Sequence, residues 1–186
     1  MSIIKSIREE KGYTQNDLAS KTGLSLRTIQ RLESSNKVPK GYSLTTLAEE
    51  FGMDATALQS KFVQVQRSKE SEITTLKVIN FSVLSFLGVP FGNVIFPIVL
   101  WRNNRDSEFV DAIARQIVNF QILFTLSLNL LLILTPFTLS KLFPGTPLLL
   151  MIFIFAYLIN IAIVFRTAYQ IKQQKFDFLQ LPIRLV

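Results

Sequence analysis

The segment that decides the fold of the N-terminal part is YTQNDLASKTGLSLRTIQRLE, residues 13–33. Thr14 and Asp17 have the spacing of a capping box and predict the start of a helix that ends at Gly23. Ser25 predicts the N-cap of the next helix. Two short helices separated by a glycine-containing turn are the sequence form of a helix-turn-helix.

The second helix of this pair combines an apolar face with a polar, basic one. Ile29 and Leu32 are three residues apart and predict the inward face. The remaining side chains, Arg27, Thr28, Gln30 and Arg31, then face solvent or a partner. Similar signals predict three further helices. The first covers residues 3–7, before Gly12. The fourth is capped by Ser43 and has the apolar residues Leu44, Leu47, Ala48 and Phe51. The fifth is capped by Asp54 and has Leu58, Phe62 and Val65 on one face.

The quoted segment closely resembles the phage-repressor and Cro-like (XRE) family. The matching residues are Gln15, Leu18, Ala19, Gly23, Ser25, Ile29 and Glu33. The resemblance implies that the third helix enters the major groove and that the start of the second holds a phosphate. It implies base contacts by Leu26, Arg27 and Arg31. It further implies flanking or phosphate contacts by Gln15, Asn16, Ser25, Thr28, Gln30, Asn36, Lys37 and Lys40.

Two other interpretations of this basic helix stay open. Charge pattern alone is equally typical of a solvated helix face. Some members of the resembled family, such as the bacterial rod-shape protein that anchors the actin-like cytoskeleton, carry the same fold on a membrane protein and bind protein. Fold therefore does not fix the partner.

The remainder of the chain has the composition of a membrane protein. Residues after 75 hold 14 of the 16 Phe residues, and those after 72 hold 9 Lys+Arg against 4 Asp+Glu. The absence of Cys and His excludes thiolate and imidazole metal sites, disulfides and Ser-His or Cys-His catalysis. We therefore expect no cofactor, no metal and no enzyme. The charged N-terminus lacks the features of a signal peptide, so we expect the first domain to stay in the cytoplasm.

Three uncharged windows are each long enough to cross a bilayer: Val78–Trp101, Gln116–Ser140 and Leu142–Phe165. Pro136 predicts the end of the second span near Thr135, and the turn after it predicts a third span from about Leu148. Residues 66–75 are polar and predict a linker or a solvated helical extension.

The path of the first window decides the topology. A single crossing would put seven basic residues outside and only Lys141 inside, which inverts the positive-inside rule. A helical hairpin broken at GVPFGN, residues 88–93, restores the rule, and we favour it. The seven residues are Arg102, Arg105, Arg115, Arg166, Lys172, Lys175 and Arg184.

The segment between the first two windows predicts an interfacial amphipathic helix, residues 107–116, capped near Asp106 or Ser107. Its apolar residues Phe109, Ile113 and Ile117 lead into the second span. WRNNRDSEFVDAIARQIVNFQ, residues 101–121, together with the closing LPIRLV, resembles a small bacterial membrane domain of uncharacterised function. That domain is distantly similar to the chloroplast inner-envelope import component Tic20.

Four amides lie in or beside the spans: Asn119, Gln121, Asn129 and Asn160. Polar groups are costly in lipid, so we expect them to form interhelical hydrogen bonds. A ligand or transport site is the alternative.

The sequence thus predicts an all-α protein. A five-helix, repressor-like helix-turn-helix domain at 1–65 and a linker at 66–75 precede a helical membrane domain at 76–186, with a broken hairpin at 76–101 and spans at 117–135 and 148–166. The predicted function is a membrane-anchored, sequence-specific transcriptional regulator in the bacterial inner membrane. Its predicted partners are double-stranded DNA, the lipid bilayer and further copies of itself, as a homodimer or higher homo-oligomer. A membrane adaptor that binds a cytoplasmic protein, and a small channel or translocation subunit with a regulatory head, are the alternatives.

Overall fold

The computed structural model describes residues 2–35, 37–138, 141, 143, 146–179 and 185. Every regular element in these ranges is a helix, which confirms the all-α prediction. The chain divides into two compact units, Met1–Glu70 and Ser71–Val186. We call the first unit the head and the second the membrane half.

The head contains four short helices and the first part of a long one. Their bounds are α1 Ile3–Glu10, α2 Gln15–Thr22, α3 Leu26–Ser35, α4 Tyr42–Phe51 and α5 Ala55–Ser82. Glycines in the left-handed conformation follow three of them: Gly12 (φ +71°), Gly23 (φ +67°) and Gly52 (φ +72°). These positions favour glycine because a Cβ is strained at such φ values.

The core of the head is built from the inward faces that helical spacing predicts. Its buried residues are Ile4, Ile7, Leu18, Ala19, Ile29, Leu32, Leu47, Ala48, Phe51, Leu58 and Phe62. Leu58, Phe62 and Val65 share one face of the unbroken α5, as predicted, but Val65 is 40% exposed because α5 leaves this core after Phe62. One detail of the sequence interpretation was wrong. Ser43 is not a cap, because α4 begins at Tyr42 with Gly41 as its N-cap.

Residues 66–75 are helical, since α5 runs without interruption to Ser82. A 3-10 helix, Val83–Leu87, and the helix α6, Gly92–Arg102, follow it. The helix α7 then covers Glu108–Leu134 and ends in a 3-10 turn, Thr135–Phe137, at Pro136. The last helix, α8, spans Leu148–Lys172. Ser107 is the N-cap of α7, and the interfacial segment and the second span form this one helix.

Two helical segments of the membrane half are long and apolar enough to cross a bilayer. They are Glu108–Phe137, with a mean hydropathy of 2.1, and Leu148–Lys172, with a mean hydropathy of 2.8. Most of their surface is not covered by protein, since only 28% and 11% of their most apolar windows are buried. Such exposure of apolar side chains is compatible with a lipid environment.

The first hydrophobic segment turns back on itself. Ser107 donates a hydrogen bond from its Oγ to Oε1 of Glu72 at 2.6 Å, so the residues before and after the segment lie side by side. Leu100 and Asn104 also line one small cavity together with Thr74 and Thr75. The chain therefore enters the membrane half and returns to the same end between residues 72 and 107.

The turn of this hairpin is tightly packed. Phe91 takes the left-handed conformation at φ +58°, which is rare for a bulky residue. A Cβ on Gly92 would lie 2.8 Å from the backbone C and O of Ser85, so only glycine fits there without displacement. Around the hairpin lies one apolar core: Leu76, Ile79, Val83, Trp101, Val110, Ile113, Ala114, Ile117, Val118, Val164, Ile171 and Phe178.

Candidate nucleic-acid interface and membrane cluster

Local capping interactions orient the two helices of the helix-turn-helix. The Thr14 hydroxyl accepts from the Asp17 N–H at 3.1 Å, and the Asp17 carboxylate accepts from the Thr14 N–H at 2.8 Å. This confirms the predicted capping box. The Thr14 hydrogen bonds also hold the pKa of the Asp17 carboxyl below its usual value. At the next helix, Ser25 Oγ accepts from the Thr28 N–H at 3.2 Å, as predicted for the cap of α3.

One side of α3 is buried and the other is exposed. Ile29, Leu32 and Glu33 are buried. The exposed residues are Leu26, Arg27, Gln30, Arg31, Ser34 and Ser35, which include all three predicted base-contacting residues. Neither Arg27 nor Arg31 forms an ion pair with any residue that the structure describes. Thr28 is half-buried, and its hydroxyl lies 2.9 Å from that of Ser25.

A buried ionic network supports this helix from behind. Arg8 Nε donates to Oε1 of Glu33 at 2.6 Å, and Arg8 Nη1 donates to the carbonyl of Tyr13 at 2.6 Å. Gln15 Nε2 donates to the second carboxylate oxygen of Glu33 at 2.8 Å. These contacts join α1, the start of α2 and α3. The helix α3 is therefore fixed by both apolar and ionic contacts.

The network controls the charge state of Glu33. Burial alone raises the pKa of its carboxyl, but the hydrogen bonds from Arg8 and Gln15 and the charge of Arg8 outweigh burial and hold the pKa below its usual value. The hydrogen bond to Glu33 in turn raises the pKa of Arg8. Sequence reasoning missed Arg8 altogether. The signal was a basic residue four positions after Ile4, on the apolar face of α1, but its partner lies 25 residues away.

A groove of about 490 Å³ separates the start of α2 from the start of α3. Its lining brings together four of the predicted residues, Gln15, Asn16, Leu26 and Gln30. One N–H of the Gln15 side chain binds Glu33, and the amide has a second N–H to donate. Lys37 and Lys40 are exposed in the segment after α3. Asn36 lies outside the described residues.

The membrane half contains a buried cluster of amides. Gln121 and Asn160 exchange two hydrogen bonds between α7 and α8, at 3.0 and 3.1 Å. Asn93 of α6 donates to Oε1 of Gln121 at 3.1 Å and to the Thr125 hydroxyl at 2.8 Å. The cluster therefore ties the returning arm of the hairpin to both long helices. Interhelical bonding was predicted correctly for Gln121 and Asn160, whereas Asn93 was missed.

The other membrane amides behave differently. Asn129 is exposed and donates to the Thr125 carbonyl of its own helix, so the interhelical prediction was wrong there. Asn119 is buried and accepts from the Leu185 N–H at 3.2 Å. Asn80, which sequence reasoning did not single out, donates to the carbonyl of Val164 at 2.8 Å. The buried amides Asn80, Asn93, Asn119, Gln121 and Asn160 thus join different segments of this half.

Comparison with known proteins finds one family for the head and another for the membrane half. The family model for magnetosome magnetite crystal formation proteins (MamF/MmsF) matches residues 71–186. The chain belongs to this family. A model for helix-turn-helix domains matches residues 4–58. The MamF/MmsF-family chain is therefore a membrane protein with a helix-turn-helix head, as the sequence predicted, and both families are of non-enzymatic kinds.

The other comparisons add no relative. No curated protein matches this MamF/MmsF-family chain, and no solved structure matches it. In the described ranges, no group of three or more His, Cys, Asp or Glu side chains could hold a metal ion.

Proposed function

We propose that this chain is a membrane-anchored, sequence-specific DNA-binding regulator of transcription. The observation that carries the proposal is the outer face of α3. Arg27 and Arg31 are exposed there and free of intramolecular ion pairs within the described residues, while the opposite face is locked into the head core. Unpaired arginines on a rigid helix are suited to guanine edges, whose O6 and N7 accept two hydrogen bonds from one guanidinium. We assign it no catalytic role.

The predicted residues divide into two roles. Arg27 and Arg31 read base edges, and Leu26 offers apolar contact, for instance to a thymine methyl group. Backbone positioning falls to the residues around the groove and the loop after α3, which are Gln15, Asn16, Ser25, Thr28, Gln30, Asn36, Lys37 and Lys40. The free N–H groups at the start of α2 favour a phosphate in the same groove.

We propose the bacterial inner membrane as the location, with the head in the cytoplasm. The end of the membrane half at which residues 72 and 107 meet also holds the end of α8, since the ring centroids of Phe109 and Phe176 are 4.9 Å apart. Six basic residues lie in or near that end: Arg102, Arg105, Arg115, Arg166, Lys172 and Lys175. The positive-inside rule places it on the cytoplasmic side. The seventh, Arg184, lies outside the described residues, and Lys141 follows α7 at its other end.

The proposed active form is a homodimer or a higher homo-oligomer. A single head reads only a few base pairs, and repressor-like proteins commonly bind two half-sites about 34 Å apart. Anchoring many copies in one membrane raises their local concentration and favours such pairing.

The test measures binding of the full chain in lipid nanodiscs to DNA selected from a random pool. We expect Arg31→Ala and Arg27→Ala each to weaken binding to the selected sequence by about 1–3 kcal/mol and to relax its base preference. Lys37→Ala and Lys40→Ala should each lower the slope of affinity against salt by about 1 without changing preference. Lys61→Ala, at an exposed position of α5, is the matched control.

Selection that enriches no sequence, together with a salt slope near zero, would contradict the proposal. The adaptor interpretation makes the opposite prediction for the same two arginines. Cellular function would survive reversal of both charges, Arg27→Glu with Arg31→Glu, and would be lost by changes on another face of the head.

A further inference from the structure

The turn between α6 and α7 holds an arginine that has an aromatic neighbour and, in the described part of the chain, no carboxylate within ion-pair distance. The guanidinium carbon of Arg105 lies 4.3 Å from the centroid of the Trp101 ring, within the range of a cation–π contact. Arg105 is exposed, and its side chain forms no hydrogen bond or ion pair with the part of the chain that the structure describes. Its five N–H donors are therefore available to a ligand.

The aromatic platform is rigid. Trp101 is only 3% exposed, and its Nε1–H donates to Oδ1 of Asp111 at 2.8 Å. The other oxygen of Asp111 accepts from Nη2 of Arg115, also at 2.8 Å. Both oxygens of this carboxylate thus accept hydrogen bonds from other side chains, and the charge of Arg105 acts on it only from beyond ion-pair distance. The nearby carboxylates of Asp106 and Glu108 form no ion pair with Arg105 either, within the described ranges.

The position of the turn indicates what the free guanidinium meets. It joins the returning arm of the hairpin to the span that begins at Glu108, and Trp is enriched where such spans leave the hydrocarbon. The ligands with a complementary charge at this depth are lipid phosphates. A planar guanidinium held against a ring loses little freedom when it donates two parallel hydrogen bonds to phosphate oxygens.

We propose that Arg105, held against Trp101, binds the phosphate of an anionic phospholipid in the leaflet around this turn. Arg102 is exposed in the same region but contacts no aromatic ring in the described residues, so it contributes only long-range attraction. Arg115 also lies over the Trp101 ring, at 5.3 Å, but it is bound to Asp111. The site is independent of DNA binding and gives the membrane half a lipid preference of its own.

The chain carries its own reporter, because Trp101 is its only tryptophan. The full chain is placed in phosphatidylcholine vesicles that contain an equal fraction of either brominated phosphatidylglycerol or brominated phosphatidylcholine. Bromine quenches tryptophan at short range, so the ratio of the two quenching strengths measures which lipid lies beside Trp101. We expect brominated phosphatidylglycerol to quench roughly three- to fivefold more strongly per lipid.

The variants separate the specific site from general attraction. Arg105→Gln should bring the quenching ratio close to one, while the matched control Arg102→Gln, with the same loss of charge, should keep most of the preference. Arg105→Lys retains the charge without the planar fork and should give an intermediate ratio; it also serves if the glutamine variant loses helical circular dichroism.

A ratio near one in the unaltered protein, or an equal fall in Arg102→Gln and Arg105→Gln, overturns the proposal. A final experiment adds glycerol phosphate to the solution as a competitor and measures the quenching ratio again. Failure of glycerol phosphate to lower the ratio supports a lipid ligand, whereas an effect at millimolar concentration assigns the site to a soluble phosphate instead.

Discussion

A single carboxylate, Glu33, supports the presentation of the basic face of α3. Its side chain and that of Arg8 are 5% and 9% exposed. Removing Glu33 leaves the buried Arg8 charge with one carboxylate in the described residues, the more exposed Glu9 at 3.4 Å. We expect Glu33→Gln to lower the free energy of unfolding of the head by about 3 kcal/mol. The measurement is urea unfolding of the head followed by circular dichroism.

The double replacement Arg8→Met with Glu33→Leu is the control for this effect. Because it removes both charges together, it should cost much less than either single change. A double variant as unstable as Glu33→Gln would show that the shape of the site matters more than its charge.

The same carboxylate predicts a dependence on pH. The pKa of Glu33 is lower in the folded head than its usual value of 4.5, so its contribution to stability is complete above that value. The contribution is lost as the pH falls from about 4.5 through the folded-state pKa. Urea midpoints of the wild type should therefore fall over this range more steeply than those of Glu33→Gln. Parallel curves for the two proteins would contradict the assignment.

Among the elements, the hairpin turn requires a glycine at position 92. Gly92→Ala would place a Cβ 2.8 Å from the backbone of Ser85, and we expect it to lower stability by about 1–3 kcal/mol. Gly88→Ala is the matched control, since no atom lies within 4 Å of its Cβ and its φ is an ordinary −119°. Thermal unfolding in detergent measures both, and an equal loss in the two variants would show that the close approach is unimportant.

The amide cluster makes a second prediction for the membrane elements. Asn93→Leu removes the two hydrogen bonds that join α6 to α7 and should cost about 1 kcal/mol. Asn129→Leu is the control, because Asn129 is exposed and bonds only to its own helix in the described structure. It should be neutral or stabilising in detergent. If Asn129→Leu lost more stability than Asn93→Leu, the assignment of the interhelical hydrogen bonds to Asn93 would be contradicted.

The sequence predicted well those features of the elements that depend on neighbouring residues. The capping box of Thr14 and Asp17, the Ser25 cap and the end of α7 near Pro136 each depend on residues a few positions apart. Pairings across long separations could not be predicted in this way. Arg8 with Glu33, and Asn80 with the carbonyl of Val164, join residues 25 and 84 positions apart. A polar residue in an apolar helix signals a partner, but not which one.

For the whole molecule, the return of the first hydrophobic segment sets the topology. The chain has no Cys, so single-cysteine variants can be labelled at one site. With Asn103→Cys and Lys141→Cys, we expect an impermeant maleimide to reach position 141 in intact cells and position 103 only after permeabilisation. Labelling at both positions in intact cells, or at 103 alone, would contradict the proposed cytoplasmic side.

The amide cluster also constrains the order of biosynthesis. Asn93 is hydrogen-bonded to α7, and through Gln121 to Asn160 of α8. The hairpin leaves the ribosome first, yet the amide cluster to which Asn93 belongs is complete only when α8 has brought Asn160 to Gln121. Nascent chains cut short before Asn160 should therefore keep this arm beside the translocon or a chaperone, and release into lipid should coincide with arrival of α8.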